Sequence, residues 1–198
     1  MARILLHTCC GPCTFYPLDR LRAAGWEVRG FFFNPNIHPY QEFQRRLEAL
    51  QAVSEQEGLP LIVRSDYPLE QFLRSVAFRE GDRCLICYTL RLEAAARCAA
   101  KSRFDAFTTT LLYSKRQKHV LARRIAENAS KKYGIPFYYE DFREGWKAGQ
   151  ARAEKAGIYR QLYCGCIYSE KERFFSSPSR RRTARKASDR FPARGDTE

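Results

Sequence analysis

Short apolar runs alternate along this chain with longer stretches in which apolar residues return every three or four positions. Residues 3–7 (RILLH), 27–33 (EVRGFFF), 60–64, 105–111 (DAFTTTL) and 136–139 have the length and the β-branched or aromatic character of buried strands. Between them lie helical patterns. Residues 14–24 carry Leu18 and Leu21 on one side, and residues 39–57 carry Phe43, Leu47 and Leu50 at helical spacing up to Gly58. Residues 69–78, 85–101, 114–133 (closed by Gly134) and 145–157 complete the set. Strands separated by helices of this length pair in parallel through crossovers. The pattern predicts an α/β fold, a doubly wound parallel sheet with helices on both faces. There is no internal repeat. Residues 1–172 read as one domain, and 173–198 (containing SSPSRRRTARKAS) read as a disordered basic tail.

In such sheets ligands bind beyond the carboxyl ends of the strands. The unusual residues of this chain gather there. The first strand runs into His7-Thr8-Cys9-Cys10-Gly11-Pro12-Cys13, and the second into Asn34-Pro35-Asn36-Ile37-His38-Pro39. The fourth runs into Thr108–Thr110, Ser114 and Lys115, and the fifth into Asp141-Phe142-Arg143. Turn chemistry alone accounts for the Asn-Pro segment, but not for three cysteines after the first strand.

Charge narrows the partner. The formal net charge is +13, of which residues 171–198 contribute +5, so residues 1–170 are basic in their own right. An excess of that size favours an anionic partner, nucleic acid above all. No apolar stretch approaches the roughly 20 residues of a membrane helix, and nothing in the first residues reads as a signal peptide. A cytoplasmic protein without a membrane partner is expected.

Seven of the eight cysteines lie in three tight groups: Cys9, Cys10 and Cys13; Cys84 and Cys87; Cys164 and Cys166. In a reducing compartment this clustering points to metal or redox chemistry and not to structural disulfides. The C-x-x-C of Cys84 and Cys87 opens a helix, whose dipole favours thiolates. A C-x-C such as Cys164-Gly165-Cys166 closes only a strained ring when oxidised, which suits redox work. Seven ligands exceed what one zinc site takes, whereas a 4Fe-4S cluster takes four thiolates and leaves three over. Cys98, within AAARCAA, reads as a packed core residue and His7 as a buried, hydrogen-bonded one.

The strings HTCCGPC, NPNIHP with EFQRRL, RCLICYTLRL, TTTLLYSKRQKH, DFREGW and YRQLYCGCIYS together resemble the cobalamin-independent epoxyqueuosine reductases of the QueH type, over about residues 3–170. The resemblance implies a Rossmann-like fold of the nucleotide alpha-hydrolase group. It also implies reduction of epoxyqueuosine to queuosine at the wobble position of tRNA, the last step of queuosine synthesis. It implies a 4Fe-4S cluster on Cys9, Cys10, Cys84 and Cys87. Cys164 and Cys166 are then a redox pair or, with Cys13, ligands of a second, mononuclear iron. An electron donor is required and is not identified by the sequence. Tyr88, Asp141, Tyr159 and Tyr163 adjoin the ligand motifs and are candidate proton donors. Arg45, Arg46, Lys115, Lys118, Arg143 and Arg160 are candidates for holding tRNA phosphates, and Tyr40 and Trp146 for stacking an unpaired base. Two other readings are an ATP-dependent tRNA thiolation enzyme and a zinc-stabilised RNA-binding module. The first would need a glycine-rich phosphate loop after the first strand; here Pro12 lacks an N–H and the loop is poor in glycine.

Overall fold

A computed structural model of the chain describes residues 1–175. Its strands are β1 (Arg3–Thr8), β2 (Glu27–Phe32), β3 (Leu61–Val63) and β4 (Ala106–Thr109). Its helices are α1 (Phe15–Ala23), α2 (Tyr40–Glu57), α3 (Leu69–Val76), α4 (Arg83–Lys101), α5 (His119–Tyr133), α6 (Trp146–Lys155) and α7 (Ile167–Phe174). The sheet order is β3-β2-β1-β4, with every pairing parallel.

Each face of the sheet is covered by helices, as its apolar alternation requires. Leu5, Phe31 and Phe107 pack with Leu92, Ala95, Ala96 and Ala99 of α4 and with Ala122, Ile125 and Ala126 of α5. The run of alanines lets α4 lie close to the sheet and to α5. On the opposite face Ile4, Leu6, Val28 and Ala106 pack with Leu18 and Leu21 of α1. Cys98 is half-buried on α4 beside the first of these cores. Gly58 and Gly134 take left-handed conformations at the ends of α2 and α5, as the sequence leads one to expect.

Two expected elements differ. The fifth strand is reduced to one parallel bridge between Phe107 and Phe137. Phe107 donates to the Pro136 carbonyl (3.0 Å) and Tyr138 donates back to Phe107 (2.9 Å). Pro136 has no N–H with which to extend the ladder. The helix expected from residue 114 begins at His119 instead, because Ser114–Lys118 form a turn in which Gln117 N–H donates to the Ser114 carbonyl (3.1 Å). The expected tail lies outside the described residues from 176 onward. No helix among the described residues is long and apolar enough to cross a membrane.

Candidate metal and redox centre

Parallel pairing of β1 with β2 and β4 brings the three strand ends together, with His7 opposite both Phe31 and Thr109. His7 is fully buried. Its Nδ1 bonds Thr109 Oγ1 at 2.8 Å, and burial, reinforced by Arg91, pushes its pKa down to about 3. It is a structural residue, as the sequence suggests.

Beyond β1 the chain turns tightly, with Thr14 Oγ1 donating to the Cys10 carbonyl (3.0 Å), and enters α1. Gly11 makes that turn possible: a Cβ there would lie 2.4 Å from the Ala49 carbonyl oxygen of α2. The turn aims Cys9, Cys10 and Cys13 inward, so that their sulfurs lie within 4.8 Å of one another and all three are buried. Thr110 Oγ1 donates to Cys9 Sγ (3.4 Å) and Gln161 Nε2 to Cys10 Sγ (2.9 Å). Cys9 is the easiest of the three to ionise. The Cys10 and Cys13 thiols bond to its sulfur and outweigh its desolvation, with Arg91 adding to the effect. Burial holds Cys10 up, and its bond with Cys10 holds Cys13 up.

A second group faces the first. Cys84 and Cys87 sit on the opening turn of α4, Cys87 buried and pushed up to about 12 by desolvation. The C-x-C segment runs into α7, with Gly165 at φ +144°, a conformation closed to side-chain-bearing residues. Cys87 interacts electrostatically with Cys164 and Cys166, and Cys84 with Cys166. Gln117 Nε2 donates to Cys164 Sγ (3.3 Å) and its Oε1 accepts from Tyr88 (2.7 Å). All eight cysteines are free thiols. The tightest sulfur grouping is Cys9, Cys10 and Cys13, with Cys13 an equal member, while the expected partners Cys84 and Cys87 stand on α4 and Cys164 and Cys166 on the segment that leads into α7. A narrow cavity of about 30 Å³ opens on Cys9, Cys13 and Cys164, walled by Gln117, Trp146, Gln161 and Tyr163. A wider cleft of about 720 Å³, lined by His38, Tyr40, Arg45, Tyr67 and Tyr159, shares Tyr163 with it.

The candidates for phosphate binding divide. Arg45, Lys115, Lys118, Arg143 and Arg160 are exposed. Arg143 pairs with Asp141 (2.5 Å) and Arg160 with Glu154 (2.8 Å). Arg46 is a correction: it is 1% exposed and cannot reach a phosphate. It pairs with Glu42 (2.7 Å) and donates to the carbonyls of Cys164 (2.8 Å) and Tyr163 (3.0 Å), thereby holding the C-x-C segment. The proton-donor candidates divide too. Asp141 is held down at about pKa 2 by its bonds from Arg143, so it carries no proton to give near neutrality. Tyr159 donates to Glu42, and Tyr88 to Gln117; only Tyr163 of the four lines the thiol cavity.

Arg91, Gln117 and Gln161 escaped the sequence reading. Arg91 stands four residues after Cys87, hence on the same face of α4, which was the available signal. Both glutamines lie inside the motif strings but carry no charge or thiol to single them out.

A parallel α/β sheet whose strand ends converge on a buried thiol cluster defines a class of soft-metal or redox proteins, since thiolates favour iron–sulfur, zinc and copper over hard cations. Its three innermost sulfurs can hold a metal ion. A sequence model described as Epoxyqueuosine reductase QueH matches residues 4–172, and the chain belongs to that family. It is 38% identical to the epoxyqueuosine reductase QueH of Dehalococcoides mccartyi, over 87% of this chain and 94% of that protein. It is 33% identical to the one from Thermotoga maritima, over 87% and 93%. In fold it is similar to a predicted subunit of a tRNA methyltransferase from Methanocaldococcus jannaschii, with a TM-score of 0.52 over 78% of this chain and 75% of that one. At 12% identity that likeness concerns the fold alone.

Proposed function

We propose that this chain reduces epoxyqueuosine to queuosine in tRNA, using a 4Fe-4S cluster. The observation that carries the proposal is the buried meeting of Cys9, Cys10 and Cys13 on a cavity that Cys164 also lines, in a member of the QueH family. The donor chemistry fits the cluster: Cys9, Cys10 and Cys13 meet, Cys164 lines the same cavity, and Cys84, Cys87 and Cys166 are further thiols, four thiolates sufficing for a cluster. Cys9, Cys10, Cys84 and Cys87 are the proposed cluster ligands, with Cys13, Cys164 and Cys166 left to serve a second iron or as a redox pair.

Conversion of an epoxide to an alkene consumes two electrons and two protons and releases the oxygen as water. The iron–sulfur centre, when bound, supplies the electrons singly and can act as a Lewis acid toward the oxygen. The chain does the rest. The narrow cavity keeps bulk water from the sulfurs. Gln161 has a buried carbonyl oxygen without a partner, suited to a hydroxyl of the substrate. Tyr163 lines the cavity with its hydroxyl donating to the His38 carbonyl, its pKa raised to about 12 by burial, and it is the proton donor we favour among the four candidates. The aromatic cleft beside it suits an unpaired base, which RNA-binding sites take by stacking; Arg45 lines that cleft and Arg160 the narrow cavity, and the exposed Lys115 and Lys118 are further candidates for phosphates. The test is anaerobic incubation of the reconstituted protein with tRNA carrying epoxyqueuosine and a chemical reductant, followed by nucleoside mass spectrometry. Appearance of queuosine is expected. Unchanged epoxyqueuosine with a fully loaded centre would refute the proposal.

A further inference from the structure

Among the described residues, Arg91 is the one buried arginine without an anionic side-chain oxygen beside it. It is 1% exposed, and among the described residues no carboxylate lies within 4 Å of it. Its Nη2 donates to the neutral Asn34 Oδ1 (2.7 Å) and its Nη1 reaches Cys87 Sγ at 3.7 Å. Its Nε–H is buried with no acceptor. The acidic groups that act on it are the thiols of Cys87, Cys9 and Cys164, one from each cysteine group. Arg46, the other fully buried arginine, is neutralised by Glu42.

A guanidinium does not deprotonate in a protein, and an unpaired buried ion is strongly destabilising. The fold tolerates Arg91 only if negative charge stands opposite it, and the groups there able to carry it are sulfurs. We infer that Arg91 is the counter-cation of the cysteine centre, holding that centre net negative and raising its affinity for an electron. An added electron makes the centre more negative, so a fixed cation at this range stabilises the reduced form over the oxidised one. The burial leaves little room for salt to screen the effect. This inference rests on the reading that the thiols hold an iron–sulfur centre.

The test is a redox titration, followed by electron paramagnetic resonance, of anaerobically reconstituted wild type, Arg91→Met and Arg91→Lys, with iron and sulfide assayed in each. Loss of the charge in Arg91→Met is expected to weaken electron affinity at least tenfold, a negative shift of about 59 mV for a one-electron couple. Arg91→Lys keeps the charge and is expected to stay near the wild-type potential although it loses the planar fork to Asn34. The shift in Arg91→Met should not change with ionic strength. A wild-type potential in Arg91→Met overturns the inference, as does a lysine variant shifted as far as the methionine one. If methionine prevents assembly, the lysine variant decides alone: a potential near wild type supports the inference and a negative shift overturns it. Turnover is scored separately. Wild type that yields queuosine beside an unshifted Arg91→Met defeats this inference only, and a shifted variant beside an inactive wild type defeats the proposed reaction only. Protein that takes up zinc without sulfide defeats both.

Discussion

Gln161 shows how much one amide can do at a thiol. It donates to Cys10 Sγ at 2.9 Å and lies 3.8 Å from Cys13 Sγ, while its oxygen stays unpaired. A hydrogen bond to a charged acceptor contributes roughly 1.5–3 kcal/mol, and 1.4 kcal/mol is a factor of ten. Gln161→Leu, close in size, is expected to retain iron but to lose activity by about tenfold or more, the loss appearing in kcat. Iron assay with steady-state kinetics at saturating tRNA checks it; unchanged kcat would remove Gln161 from the site. The sequence does not mark this residue, marks Arg91 only by its place one helical turn after Cys87, and offers Arg46 for a different role. Charged and amide side chains default to the surface, and only the fold turns these three inward. The thiols were legible because seven cysteines in three clusters have few other uses in a reducing compartment. Their grouping was not, since spacing within a motif says nothing about which motifs meet.

At the scale of elements, the fold joins the C-x-C segment to α2 through a buried ion pair. Arg46 and Glu42 are one helical turn apart, and the arginine's remaining donors hold the carbonyls of Tyr163 and Cys164. Arg46→Met leaves Glu42 buried with only Tyr159 beside it, and breaking such a pair is destabilising by about 3–5 kcal/mol. A lowered denaturant midpoint is expected, largely recovered when Glu42→Gln is added. A midpoint within error of wild type would show the pair to be dispensable. Four strands and the helix-ending glycines Gly58 and Gly134 were legible from period and turn chemistry. The fifth strand was over-read, because Phe137, Tyr138 and Tyr139 have strand character while Pro136 cannot donate to a neighbour. The helix start at residue 114 was over-read too, because the turn at Ser114–Lys118 depends on Tyr88, whose hydroxyl accepts from Lys118 N–H at 3.0 Å from another element.

For the molecule as a whole, acid is the expected point of weakness. Burial pushes all three histidines down, His7 to about 3 and His38 to about 4, with His119 lowered as well. Unfolded histidines titrate near 6.5. Between those values the unfolded chain binds more protons than the folded one, so stability rises with pH and is fully present above about 6.5. Denaturant midpoints measured from pH 7 down to pH 4 should fall steadily, and His38→Gln should flatten part of that slope. An equal slope in the variant would exclude His38 as a contributor.

The position of Cys164 bears on how such a protein fails in air. It lines the narrow cavity on one side and an outer groove with Arg116 and Arg173 on the other, whereas Cys9, Cys10 and Cys13 are buried and do not line that groove. Peroxide arriving through the outer groove meets that sulfur before the inner three. Damage to Cys164 would start as a sulfenic acid, which a thiol reductant reverses, and become permanent only on further oxidation.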